Sequence, residues 1–270
     1  MKLRGLLAVL VICTAMPAFA RKPETGFLDR TLTFQDNTYR YQVYVPANFD
    51  RHQAWPVILF LHGRGESGHD GLLQTEVGIG SAIRRSRGKM PFIVVMPQCP
   101  DEKSWTDPDM GEMALAALHS AVREFHGDDN SLYLTGLSMG GYGTWDIAAH
   151  HPGKFAAIVP VCAGLHPPDG RPEIVSSFVR DPRIADPYAE VAGRIGRTAT
   201  AIWMFHGADD PTVPVEESRK MAAALRAVGG KLKYTEYPDT AHNAWDKAYA
   251  EPGLFDWLLQ QHFAKVDTRR

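Results

Sequence analysis

The sequence predicts an α/β protein with a mostly parallel β-sheet of about eight strands, flanked by helices. Short and nearly continuous apolar runs recur along the 270 residues, which is typical of strands that are covered on both faces. Stretches with helical spacing of apolar residues lie between these runs, and such alternation indicates parallel strand order. Two alternating segments near the start predict an antiparallel hairpin before the parallel part.

The hairpin is predicted from apolar and polar residues that alternate over 27–34 and 39–45, on either side of Asp36-Asn37. The buried strands that follow are predicted at 57–61, 92–96, 132–135, 157–161 and 201–205, with a further strand at 231–237.

Helices are predicted at 113–125, 142–150, 215–228 and 254–263. The helix at 215–228 has the clearest ends, because it follows Pro214, carries two glutamates in its first turn and stops at Gly229-Gly230. The sequence has no internal repeat or linker, so residues 21–270 are predicted to form one domain. Segment 166–198, rich in Pro, Asp and Arg, is long for a strand-to-helix connection, and we interpret it as a partial lid insertion.

The first twenty residues predict a secretory signal peptide. Lys2 and Arg4 precede an apolar run at 6–16, and Ala18-Phe19-Ala20 has the small residues that signal peptidase accepts. The apolar run is shorter than a membrane-spanning helix requires. We therefore expect export, with cleavage near Ala20 and a periplasmic or extracellular protein.

Composition argues against several other classes of function. The formal net charge is −2 and the sequence has no basic tract. Both observations argue against nucleic-acid binding and against stable membrane association. No cysteine or histidine spacing matches a structural metal site, so no metal is expected. Cys99 and Cys162 follow strands that should not be neighbours, which predicts free thiols. The sequence does not predict an oligomeric state.

The strongest chemical signal is Gly136-Leu137-Ser138-Met139-Gly140, between the predicted strand at 132–135 and the predicted helix at 142–150. A serine with glycines two residues before and after it is the pattern of a nucleophile elbow, a tight strand-to-helix turn that exposes the hydroxyl. The N-terminus of the following helix favours the negative charge that develops there. We therefore predict that Ser138 is a nucleophile.

An acid and a histidine follow two later strands. Asp209 and Asp210 come after the strand at 201–205, and His242 comes after the strand at 231–237. Because the carboxyl ends of parallel strands meet at one edge of a sheet, these side chains are expected to lie near Ser138. His242 would take the serine proton, and a carboxylate would orient its imidazole. Spacing alone does not choose between the two aspartates.

These motifs resemble those of the α/β-hydrolase superfamily, and more closely a group of secreted esterases and peptidase-like proteins. That group is akin to feruloyl and acetylxylan esterases, polyhydroxyalkanoate depolymerases and prolyl-oligopeptidase-type hydrolases. The resemblance spans residues 30–262 and rests on LHGRGESG at 61–68, MPQCP at 96–100, LTGLSMGGYG at 134–143 and the stretch 205–214. It implies the α/β-hydrolase fold and, from an HGxxDxxVP pattern, Asp210 as the acid.

The resemblance also implies an oxyanion hole. Its donors would be the backbone N–H of Met139 and one from the loop after the strand at 57–61, where Arg64 matches the position after His-Gly and Gly65 is the weaker alternative. Glu66, Trp105 and Trp245 are candidate substrate contacts, although large aromatic residues more often pack in a core and Glu66 equally fits a salt bridge.

Residues 63–68 read GxGxxG after a strand, which is also part of the pattern of a dinucleotide-binding site. Such a site requires a helix that opens within the motif and an acid at the end of the next strand, and neither is predicted here. His62 and His206 each precede a glycine at a strand end and are expected to be buried structural residues. Aspartates at 107–109 and 128–130 are expected in turns, without the further carboxylates of a calcium loop.

The sequence thus predicts an exported serine carboxylesterase that needs no cofactor and acts on short-chain acyl or aryl, feruloyl-type esters. The substrate would be a small-molecule or polysaccharide-linked ester. A serine peptidase or polyester depolymerase of the same fold is the alternative with the same chemistry. A non-catalytic binding module is the alternative of a different class, and an intact set of Ser138, Asp210 and His242 argues against it.

Overall fold

The computed structural model describes residues 23–86 and 90–264, and the predicted signal peptide at 1–20 lies outside them. The described residues contain one eight-stranded sheet in the order β1-β2-β4-β3-β5-β6-β7-β8. Its strands are β1 (Gly26–Phe34), β2 (Asn37–Val45), β3 (Trp55–Leu61), β4 (Ile93–Pro97), β5 (Gly127–Leu137), β6 (Ala157–Val161), β7 (Ala201–Gly207) and β8 (Lys231–Tyr237).

The sheet is mixed, as the sequence predicts. β1 and β2 pair antiparallel from Gly26 with Val45 to Phe34 with Asn37, and β2 continues antiparallel against β4. From β4 through β3 to β8 all neighbouring strands run parallel. The carboxyl ends of β3, β5, β7 and β8 therefore meet at one edge, which is where the candidate functional residues lie.

The helices are α1 (Ile79–Arg85), α2 (Pro108–Glu124), α3 (Met139–His150), α4 (Ser177–Arg180), α5 (Pro187–Gly196), α6 (Val215–Ala227), α7 (Trp245–Ala248) and α8 (Leu254–Leu259). No helix among the described residues combines the length and the apolar character needed to cross a membrane.

Both expected aspartate turns are wrong. Asp107 is the N-cap of α2, because Pro108 has the fixed φ that suits a first helical position. Asp128–Asn130 belongs to the partly exposed beginning of β5, where the Asp128 carboxylate accepts hydrogen bonds from the Asn130 N–H and the Ser131 hydroxyl. Polar residues occur at this end because the strand is not yet covered by helices.

Segment 166–198 is also different from the predicted loop, because it contains α4 and α5. Asp186 caps α5 by accepting hydrogen bonds from two backbone N–H groups of its first turn, and Pro187 occupies the first helical position. Phe178, Val191 and Ile195 from these helices are buried in the core. Only the stretch 168–174 lies beside Ser138, so most of the predicted lid is part of the protein body.

The core has two layers, one on each face of the sheet. One layer contains apolar residues of α2, α3, α5 and α6, and the other contains those of α1, α7 and α8. Cys99 lies in the first layer and Cys162 in the second, so both thiols are buried and free, which confirms that prediction.

Candidate active site

Ser138 occupies the turn between β5 and α3 in a strained backbone conformation, with φ of 52° and ψ of −120°. The flanking glycines are required by close backbone contact. A Cβ on Gly136 would lie 2.2 Å from the Gly140 carbonyl oxygen, and a Cβ on Gly140 would lie 2.0 Å from the Leu61 carbonyl oxygen. The GxSxG pattern therefore folds as the predicted elbow, and the Ser138 hydroxyl faces the edge of the sheet where β7 and β8 end.

A continuous chain of hydrogen bonds connects three side chains from three strand ends. His242 Nε2 lies 2.9 Å from Ser138 Oγ, and His242 Nδ1 lies 2.7 Å from Asp210 Oδ2. The Asp210 side chain is fully buried, whereas 19% of the His242 side chain is exposed. Asp209 is exposed, and the residue that meets the histidine is Asp210. This geometry allows proton transfer between the serine and the imidazole.

Three hydrogen bonds hold the Asp210 carboxylate. Oδ1 accepts hydrogen bonds from the Thr212 and Val213 N–H groups at 2.9 and 3.0 Å. Oδ2 faces His242 and also lies 3.2 Å from His206 Nε2. Burial raises the pKa of the Asp210 carboxyl, but the contacts with these two histidines and the hydrogen bond from Val213 outweigh burial and hold its pKa well below the ordinary range. Asp210 is therefore a carboxylate at neutral pH.

The loop after β3 forms the opposite side of the site. Arg64 begins a 3-10 turn at Arg64–Glu66, and Met139 begins α3. The N–H group of a first helical residue has no acceptor within its own helix, so both groups are able to donate to a substrate oxygen. The Glu66 carboxylate accepts the Gly63 N–H at 3.0 Å, which fixes this loop, and burial raises the pKa of Glu66.

These residues border a cleft of about 270 Å³. Leu137, Pro168, Ile174 and Trp245 give it apolar walls. Its polar lining includes Arg64, Arg171, Glu66, Ser138 and His242. A cleft of this size holds a short acyl chain or one aromatic ring.

Comparison with known proteins identifies the family of this chain. A family model described as "Putative esterase" matches residues 35–248. The chain belongs to this esterase family. The structure of a thermostable esterase is 30% identical, with a TM-score of 0.73 over 88% of this chain and 63% of that one. The range matched by the family model begins after β1 and ends with α7, so it includes the strands from β2 to β8.

Two curated relatives of this chain match parts of it. A protein from Arthroderma benhamiae called "Uncharacterized secreted protein" is 26% identical over 76% of this chain and 23% of its own length. Acetylxylan esterase A from Emericella nidulans is 26% identical over 58% of this chain and 54% of its own length. The chain thus spans about a quarter and about half of these two relatives. A ferulic acid esterase structure, 17% identical, shares the fold with a TM-score of 0.65.

The three candidate substrate contacts have different positions in the structure. Trp245 borders the cleft, and its ring lies edge-on to the His242 ring at 5.3 Å. Trp105 does not: it is 1% exposed, and its indole N–H donates to the His62 carbonyl at 3.0 Å. The substrate-contact prediction for Trp105 is wrong because a residue number after a strand does not define the side chain's direction. Glu66 borders the cleft and makes no ion pair within the described residues.

The two histidines that precede glycines, His62 and His206, are buried, as expected. His62 donates from Nδ1 to the Gly63 carbonyl at 2.6 Å and accepts the Cys99 N–H at Nε2. Burial lowers the pKa of His62 to about 4, so it is neutral at pH 7. His206 has a second contact that the sequence analysis missed, since its Nε2 lies near Asp210 Oδ2. A spacing of four residues places side chains together only on a helix, so the sequence carried no signal of this contact.

One group of three potential metal ligands occurs among the residues described, formed by Cys162, Asp210 and His242 within 4.8 Å of one another. These atoms already have partners: the carboxylate and imidazole bind each other, and Cys162 Sγ donates to the His242 carbonyl at 3.0 Å. The geometry of the cluster is therefore accounted for by hydrogen bonds within the serine site.

Proposed function

We propose that this chain is an exported serine carboxylesterase that hydrolyses carboxylic esters through an acyl-enzyme. The observation that carries the proposal is the hydrogen-bond chain from Ser138 Oγ through His242 to the buried Asp210 carboxylate. A serine hydroxyl is a weak nucleophile alone, and an adjacent oriented base activates it. Membership in the esterase family supports ester substrates.

In the first half-reaction, Ser138 Oγ attacks the ester carbonyl carbon while His242 Nε2 takes the hydroxyl proton. Asp210 accepts the Nδ1–H of the imidazole, which keeps Nε2 free to receive that proton, and stabilises the imidazolium. The carbonyl oxygen becomes an oxyanion, to which the N–H groups of Arg64 and Met139 donate. The N-terminus of α3 adds a favourable electrostatic field.

The tetrahedral intermediate then collapses to the acyl-enzyme. The bond to the alcohol oxygen breaks, and the imidazolium at Nε2 gives its proton to the leaving alcohol. In the second half-reaction His242 takes a proton from water, whose oxygen attacks the acyl carbon. The acid is released when Ser138 Oγ recovers the proton from Nε2.

The substrate is a small-molecule or polysaccharide-linked ester with a short acyl or single-ring acid part. Support comes from the cleft of about 270 Å³ with apolar walls and from the name of the relative acetylxylan esterase A. Export is supported by the sequence pattern at 1–20 and by the name of the Arthroderma benhamiae relative.

The test is hydrolysis of 4-nitrophenyl esters from acetate to decanoate, together with methyl ferulate, by the chain beginning at residue 21. We expect the short esters or the ferulate to turn over. Ser138→Ala is expected to lower kcat by at least about 10⁴-fold, since loss of the nucleophile removes the covalent route. Ser120→Ala on α2, outside the cleft, serves as the control and is expected to retain full rates.

Wild-type rates in Ser138→Ala would refute the mechanism. Hydrolysis of peptides or polyesters in the absence of small-ester turnover would support the peptidase or depolymerase alternative. Binding of esters by the wild-type chain with no turnover of any substrate would support the non-catalytic module.

A further inference from the structure

Two arginines, Arg64 and Arg171, border the same cleft as Ser138 and His242. They come from separate parts of the chain, the loop after β3 and the stretch between β6 and α4. Ester hydrolysis as described above uses only the backbone N–H of Arg64 and no part of Arg171. The positive charges of the two guanidinium groups are therefore unexplained by the chemistry at the serine.

The Arg64 side chain is positioned but keeps most of its donors available. Its Nη1 donates to the Lys103 carbonyl at 3.1 Å, which is a neutral acceptor. Within residues 23–86 and 90–264, no carboxylate pairs with this guanidinium. A guanidinium has five N–H donors, and a planar pair of them matches both oxygens of a carboxylate.

Arg171 has only a weak internal partner. Its Nη1 lies 3.9 Å from Glu173 Oε1, and the two side chains are 55% and 43% exposed. An exposed pair at this distance contributes little and exchanges readily. The backbone is fixed nonetheless, because the Arg171 N–H donates to the Pro168 carbonyl and the Arg171 carbonyl accepts the Ile174 N–H.

Buried carboxylates anchor the stretch that carries Arg171. Glu217 accepts the N–H groups of Leu165 and His166 before it. Asp146 accepts the Ser176 hydroxyl and the Ser177 N–H after it. The guanidinium therefore extends from a preorganised backbone, which lowers the entropic cost of binding a ligand.

The cleft carries an excess of positive charge beside apolar walls. Glu66 is the one carboxylate on its described lining, it is already bound by the Gly63 N–H, and burial raises its pKa. Pro168, Ile174 and Trp245 provide surface for a carbon skeleton. A ligand that matches both features has an apolar body and a negative group.

We propose that the cleft selects esters that carry a carboxylate, bound by the Arg171 and Arg64 guanidinium groups, over neutral esters of the same length. This inference rests on the proposed ester hydrolysis at Ser138. The carboxylate is a recognition group and is not hydrolysed, so the reaction remains attack on the ester carbonyl. Charge-assisted pairing at a partly exposed site accounts for a preference of about tenfold in kcat/KM.

The test compares two substrate pairs that differ in one carboxylate. Mono-4-nitrophenyl adipate and 4-nitrophenyl hexanoate place the charge on the acid part, and 4-acetoxybenzoate and 4-methylphenyl acetate place it on the alcohol part. We expect one pair to show the tenfold preference at low salt. That preference should shrink in 0.5 M NaCl, because salt screens exposed charges, while the rate on the neutral ester stays similar.

Arg171→Gln is expected to reduce the anionic-to-neutral ratio of kcat/KM about three- to fivefold, and Arg171→Glu to bring it to 1 or below. Arg183→Gln is the matched control, because Arg183 lies on the same segment but is 87% exposed and pairs with Asp181. The control should keep the wild-type ratio. Circular dichroism of each variant checks that the fold is retained.

A wild-type ratio near 1 for both pairs, with the neutral esters hydrolysed, overturns the anion proposal and leaves the esterase proposal standing. An anion preference that Arg171→Glu leaves unchanged also overturns it. If none of the four esters is hydrolysed, the proposed function is refuted, and the anion proposal with it.

Discussion

Replacement of Glu217 by alanine is expected to detach the stretch at 165–174, which borders the cleft, from α6. Glu217 lies on α6 and is 8% exposed. Its Oε2 accepts the N–H groups of Leu165 at 2.7 Å and His166 at 3.1 Å, and its Oε1 accepts the Tyr188 hydroxyl at 2.6 Å. One side chain therefore connects α6 to the stretch before Arg171 and to α5.

The expected loss follows from these three hydrogen bonds. A hydrogen bond to a charged acceptor contributes about 1.5–3 kcal/mol, and a buried donor left without a partner costs about 1–3 kcal/mol. Two effects partly offset the sum of these losses. Alanine removes the cost of burying the carboxylate, and water that enters the space can bind the freed donors. We expect Glu217→Ala to lower the free energy of unfolding by about 3–5 kcal/mol. Glu217→Gln should lose less, because its amide oxygen still accepts.

The assay is urea unfolding followed by tryptophan fluorescence, with ester turnover measured on the same samples. Glu216→Ala is the control, since Glu216 is the adjacent residue on α6 but its side chain is 58% exposed. A surface replacement of this kind changes the free energy of unfolding by within about 0.5 kcal/mol. We also expect Glu217→Ala to raise KM, because the stretch at 168–174 loses its anchor.

A loss below about 1 kcal/mol in Glu217→Ala would refute the reasoning, as would equal losses in both variants. An unchanged KM in a destabilised Glu217→Ala would show that the anchor supports the fold but does not order the cleft.

Three further predictions concern the site and its support. Asp210→Asn should lower kcat about 10⁴-fold in steady-state assays, because the amide favours the wrong imidazole tautomer, whereas Asp209→Asn should stay within about twofold. Gly140→Ala should abolish activity and lower the melting temperature, since its Cβ would lie 2.0 Å from a β3 carbonyl oxygen, whereas Gly193→Ala, with open space around it, should not destabilise. The His62 pKa of about 4 lies below its unfolded value near 6.5, so protonation favours unfolding. The free energy of unfolding, measured by urea titration, should therefore fall by about 3 kcal/mol from pH 6.5 to pH 4 because of this one group. In His62→Gln the free energy of unfolding should depend less on pH over that range.

Much of the fold could be predicted from local sequence patterns, because burial and close backbone contact restrict which residues can occupy a position. The apolar runs located every strand from β3 to β7, since a strand covered on both faces has no polar side to alternate. The elbow at Ser138 followed from glycines whose hydrogen atoms are the only side groups that fit. The antiparallel pairing of β2 with β4 was not predicted, because apolar patterns do not encode which strands become neighbours.

The wrong or incomplete predictions concern features that residue spacing does not determine. α5 was missed although Asp186-Pro187 is a helix-start signal, because polar residues dominate the composition of 166–198. Trp105 was assigned to the cleft from its position after a strand, yet its ring packs against His62 at 5.1 Å between centroids. The choice of Asp210 over Asp209 came from a resemblance, and the contact of Asp210 with His206 required coordinates.

The two free thiols give this protein a pair of built-in reporters. Burial raises the pKa of Cys99 and of Cys162, and an alkylating reagent attacks only the thiolate, so neither reacts in the closed protein. Because each lies in a different core layer, the rate at which iodoacetamide modifies each one measures how often that layer opens. In a chain that begins at residue 21 they are the two cysteines present, so mass spectrometry of two peptides would time the opening of both faces of the sheet without any mutation.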